Sequence, residues 1–93
     1  MTQSTILAAG TTAANSTPVA VPSGATYTVG IFASSGTIPD GVTCSLLVDT
    51  PGADALLPQK LDANTPAVSI TGPVSVIVAR PATSVAIGAF QEA

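Results

Sequence analysis

Ninety-three residues are one domain's length of chain, and only 8% of them are charged, against about 25% in an ordinary soluble domain. The net charge is −3, Lys60 and Arg80 are the only basic residues, and there is no histidine, so the chain has no basic patch for nucleic acid and no Ser–His or Cys–His nucleophile pair. Hydrophobic residues nonetheless reach 46%, which points to a surface largely covered in an assembly; the alternative is a surface that is simply weakly charged.

Eight prolines and eight glycines punctuate the chain and leave little room for a helix. Residues 1–5 read as a flexible arm and Ile6–Ala8 as a first short strand. Gly10–Ser16 is turn-like, and Pro18–Val21 is a short strand with Val19 and Val21 on one face. Ala25–Ala33 places Tyr27, Val29 and Ile31 on one face and Thr26 and Thr28 on the other, the period of a half-buried strand. Phe32 breaks that pattern and is expected at a sheet edge or a subunit contact. Ser34–Gly41 is a loop, and Val42–Asp49 follows with Val42, Cys44, Leu46 and Val48 on one face.

Thr50–Ala53 is a turn in which Pro51 presets φ and Gly52 accepts a positive one. Pro58 makes Leu56–Asp62 an edge strand or an extended connection. Ala63–Pro66 is a loop, and Ala67–Thr71 turns Val68 and Ile70 inward. Val74–Arg80 is the clearest interior strand, with Val74, Val76 and Val78 on one face and Ile77 and Ala79 making the other apolar too. Ser84–Phe90 closes the chain, Val85, Ile87 and Ala89 alternating with Ala86, Gly88 and Phe90. About seven short antiparallel strands at a spacing near ten residues predict one all-β domain over 1–93, a small immunoglobulin-like β-sandwich. The Cys…Trp…Cys core of antibody domains is missing, so only the architecture is implied.

Residues capable of chemistry are few. Asp40, Asp49, Asp54 and Asp62 lie in or beside turns, where Asp commonly bonds its own backbone. Asp49 and Asp54 flank one loop, but their spacing matches no calcium-loop pattern, and zinc would need His and several Cys. Cys44, the single cysteine, sits in an apolar run and reads as a small core residue. Arg80 stands between a strand and Pro81, where its five donors can cap loop carbonyls; the alternative is a salt bridge to a neighbouring subunit. Tyr27 reads as core or rim. No cofactor motif or phosphate loop is present, so the chain is expected to be non-enzymatic and without cofactor or metal. There is no basic-then-apolar leader and no run approaching a membrane span.

The segments GTTAANSTPVAVPSGATYTVGIF and ITGPVSVIVARPATSVAIGAF carry a further signal. The phrase Thr71-Gly72-Pro73, then a strand to Arg80-Pro81-Ala82, then Val85–Phe90, resembles small virion structural proteins of tailed bacteriophages. The likeness covers residues 10–33 and 68–90; residues 34–67 carry no part of it. It implies a capsid decoration (cement) protein, made in the host cytoplasm and working in the virion. Such proteins are often trimeric and bridge coat subunits, so the chain is expected to form a homo-oligomer, a trimer by this likeness, on the major capsid protein or other virion subunits. No functional residue is carried over. Alternatives are a tail or fibre component, or a carbohydrate- or surface-binding β-sandwich, although only three aromatics are available to make such a site. Phe32, Ile38 and Phe90 are the expected protein-interface residues, because they fall off the core pattern or lie near loops and the terminus.

Overall fold

Alternation of apolar and polar residues resolves into nine strands in a computed structural model that describes residues 3–49, 51–52 and 55–93. They are β1 (Gln3–Gly10), β2 (Ala14–Asn15), β3 (Val19–Val21), β4 (Thr26–Ala33), β5 (Cys44–Val48), β6 (Ala55–Leu61), β7 (Ala67–Thr71), β8 (Val74–Arg80) and β9 (Ile87–Glu92). All ladders are antiparallel. Sheet A runs β1-β9-β4-β7; sheet B runs β2-β8-β5-β6, with β3 also paired to β8. The two sheets form a β-sandwich, as the strand spacing predicts. Asp54 and the turn residues Thr50 and Ala53 lie outside the described residues.

Several boundaries move, those of the first and last strands furthest. Gln3, Ser4 and Thr5 are not an arm: they pair with Glu92, Gln91 and Phe90 and extend β1 outward. Their side chains are polar and exposed, so no alternation marks them, and the long-range partner β9 makes them a strand. Likewise β9 begins at Ile87 and continues through Gln91 and Glu92. The strand count exceeds seven because Ala14–Asn15, inside the segment read as turn-like, pairs with β8 as β2, and the proline-containing Ala55–Leu61 is a full strand, β6.

The inward faces supply the core. Val29 and Ile31 of β4 and Ile87 and Ala89 of β9 meet Leu46 and Cys44 of β5 and Val76 and Val78 of β8. Leu61, Val19, Val21 and Ile70 close its sides. Full burial of one such aliphatic side chain contributes roughly 1.5–3 kcal/mol. The chain exposes 4842 Å². The size scaling of folded monomers gives about 4,850 Å² for 9.0 kDa. The single chain therefore closes its own core without borrowing an element from a neighbour.

Arg80 ties the sheets together at one corner. It is only 6% exposed, and it ends β8 pointing inward. Its Nε donates to the Thr12 carbonyl at 2.7 Å, and Nη1 donates to the carbonyls of Ala8 (2.9 Å) and Ile87 (2.7 Å). One side chain of sheet B thus bonds β1, β9 and the connection after β1. This is the carbonyl-capping role open to its planar fork. Gly10 makes room for it, since a Cβ there would lie 3.0 Å from Nη2.

Ser16 bridges the break between β2 and β3. Its backbone N–H donates to the Val78 carbonyl at 2.8 Å, and its hydroxyl oxygen accepts from the Val78 N–H at 2.9 Å. The side chain replaces the ladder carbonyl, so no buried side-chain polar atom among the described residues is left without a partner. Between β7 and β8 the chain turns at Gly72-Pro73, joined by a cis bond. A Cβ on Gly72 would run into the Pro22 carbonyl oxygen, so only glycine fits there. Asp62 ends β6 by accepting the N–H groups of Asn64 (2.9 Å) and Thr65 (2.8 Å), the turn role its position predicts.

Candidate interaction surface

The outer face of sheet A is built around two aromatic rings and two glycines. β4 and β9 are its inner strands, and their register sets Phe32 opposite Gly88 and Phe90 opposite Gly30. Inward positions on these strands are Val29, Ile31, Ile87 and Ala89, so by alternation Phe32 and Phe90 face outward. Each ring reaches over the glycine opposite. A Cβ on Gly88 would collide with Cζ of Phe32, and one on Gly30 would lie 2.7 Å from Cζ of Phe90. Both rings are half-buried as a result. Phe32 does not stand at a sheet edge; it sits on an inner strand, and the outer face is what takes it off the core pattern.

Thr5 of β1 lies opposite Phe90 on the other side. Gln3, Ser4, Thr5, Phe32 and Phe90 together line an open depression of about 300 Å³. Its floor is aromatic and its β1 side carries amide and hydroxyl groups. Glu92, paired with both Gln3 and Thr28, sets an acid at this end of the face.

Ile38 is not part of this surface. It comes from the connection between β4 and β5 and packs, partly buried, against the core. Two of the three expected interface residues are therefore brought together, and the third supports the interior.

Sheet B has an apolar outer patch that the linear reading did not single out. Leu47 of β5 lies opposite Ile77 of β8 and Leu56 of β6, and Leu56 is 62% exposed. The signal was in the doublets Leu46-Leu47 and Leu56-Leu57. In a strand, adjacent residues point to opposite faces, so one leucine of each pair must turn away from the core. A second open cleft, of about 430 Å³, lies between Gly41–Thr43 and Pro81–Ser84 and holds no ionisable side chain.

The residues with latent reactivity are sealed. Cys44 is 0% exposed. Burial pushes its thiol above the ordinary range, while the nearby Arg80 charge pulls the other way. With Arg80 inside, Lys60 is the single lysine or arginine side chain at the surface. The arrangement offers packing surface, and among the described residues it places no nucleophile beside a base.

Compared with family models, curated proteins and solved structures, the chain matches none.

Proposed function

We propose that this chain is a non-enzymatic virion structural protein, of the capsid-decoration kind, that docks through the outer face of sheet A. One observation carries the reading: aromatic surface is held outward on paired glycines while one of the two basic residues is buried. A surface of Thr, Ser, Ala and half-buried rings suits dry contact with other subunits, where charged residues are depleted. The phrase Thr71-Gly72-Pro73 to Arg80-Pro81-Ala82 supports the reading through its likeness to phage proteins, and an immunoglobulin-like sandwich suits it. The partner would be the major capsid protein or another virion subunit, with a tail or fibre site as the variant form.

The test is co-sedimentation of the purified chain with heads of tailed phages stripped of their own decoration proteins, with tails run in parallel. Retention on heads, lost in Phe32→Ser and Phe90→Ser, supports the proposal. A chain that stays in the supernatant with every particle overturns it. A second reading, carbohydrate binding, draws on the same depression, because flat rings beside Gln3, Ser4 and Thr5 could stack a sugar and bond its hydroxyls. A glycan array tests it: a hit lost in Phe90→Ser would favour this reading over the first.

A further inference from the structure

The sandwich has four open edges, and three of them are guarded. The edge formed by β2 and β3 is broken at Ser16–Pro18. The β6 edge carries Lys60, contains Pro58, which has no backbone N–H, and loses register between its pairs with Ser45 and Leu47. The β1 edge loses register twice, between Thr5 and Leu7 and between Leu7 and Gly10. Breaks, charges and prolines of this kind are how sheets prevent pairing with other chains.

The β7 edge has none of them. Its five residues pair with β4 in unbroken register from Thr26↔Thr71 to Gly30↔Ala67. No charged residue occurs between Ala63 and Ala79. The hydrogen bonds fix which groups point away. Ile31 donates to the Pro66 carbonyl and Gly72 donates to the Ala25 carbonyl, so residues 66, 68, 70 and 72 turn their backbone groups toward β4. The N–H and C=O of Ala67, Ser69 and Thr71 therefore point outward. Among the described residues no element pairs with them, and Ser69 and Thr71 are exposed.

We infer that β7 is a homodimerisation edge, on which a second copy of this chain adds its own β7 antiparallel across a two-fold axis at Ser69. The pattern is self-complementary. With Ser69 facing Ser69 of the other copy, Ala67 faces Thr71, and every outward-pointing residue meets another. The result is three facing pairs, each exchanging two backbone bonds. Small side chains meet on the outer face, and half-buried Val68 gains the neighbouring Ile70 on the inner face. Pro66 and Pro73 delimit the free edge to the length of its own partner. The two sheets A become one continuous sheet, and the symmetry is two-fold, unlike the trimer that the phage resemblance implies. This dimer stands whether or not the chain binds a capsid.

The test is solution mass by light scattering across a dilution series, combined with variants at the axis. Ser69→Pro removes one outward N–H and no bond to β4, so it keeps the β-sheet circular dichroism and gives a monomer. Ser69→Lys keeps the N–H and sets two like charges at the axis, so it weakens the dimer more at low salt than at high salt. On mild oxidation Ser69→Cys cross-links, because facing Cα atoms lie about 5.5 Å apart. Thr71→Cys does not, because its own copy lies about 14 Å away, four residues along the ladder. A monomer up to millimolar concentration overturns the inference, as does a trimer. So does a dimer that survives both Ser69→Pro and Ser69→Lys, which would move the contact to another surface.

Discussion

At Gly10 the guanidinium of Arg80 occupies the space a side chain would have taken; at Gly88 and Gly30 the rings of Phe32 and Phe90 do. The steric device is the same in both regions, and the chemistry is reversed. Ordinarily the cation faces water and the aromatic fills the core. Here the cation lies within the sandwich, bonded to three carbonyls, and the rings lie on the outside, half open to solvent. On the proposed function, the difference separates stability from recognition. The Arg80 corner holds the two sheets to each other, while the ring face contributes less to folding and remains free to meet a partner.

The largest expected effect comes from emptying the corner. Arg80→Met leaves the Ala8, Thr12 and Ile87 carbonyls without their donor, and it should lower stability by about 3–5 kcal/mol, read as a fall in the urea midpoint. Arg80→Lys should recover part of that, since an ammonium donates but lacks the planar fork. Next comes the device itself on the outer face. Gly88→Ala sets a methyl against the Phe32 ring and 2.8 Å from the Leu7 carbonyl oxygen, which belongs to backbone and cannot swing away. A loss of roughly 2–3 kcal/mol is expected, from overpacking. If Gly88→Ala cost nothing in thermal melting, the rings would not be held by the glycines and the comparison would fail.

Phe90→Ser should cost less, about 1–2 kcal/mol, because the ring is only half-buried. Its larger consequence is expected in pelleting with phage heads. The smallest effect is a pH dependence at the corner. The folded Cys44 thiol is raised above its ordinary value of 9.0, so its contribution is fully present below that unfolded value. It is lost as pH rises toward and through the folded value. Denaturation midpoints should therefore be insensitive to this group at neutral pH and fall in alkali, and Cys44→Ala should remove that slope.

Much of this was legible in the residues, and the parts that were not share a cause. Period-two alternation located β4, β8 and the inward face of β5, because burial on one side writes itself directly into sequence. Arg80 was readable as a carbonyl cap from its donors and its place before Pro81. Gln3–Thr5 was not readable as a strand, because its partner lies at the far end of the chain. Phe32 was set apart from the core and expected at a sheet edge or a subunit contact; the edge alternative fails, since which strands are internal depends on topology. The same holds for the unguarded edge at β7. Nothing in Ala-Val-Ser-Ile-Thr marks it until the other three edges are known.

The pairing of β1 with β9 has a mechanical consequence. Gln3 lies beside Glu92, so both ends of the ladder emerge together. Tension applied to the two ends would open that ladder one bond at a time, like a zipper, and no large force would build. Load carried between copies across the inferred β7 pairing would instead pull across the strands, along facing bonds that share it at once. A ladder loaded on all its bonds together resists far better than one that is peeled from its end.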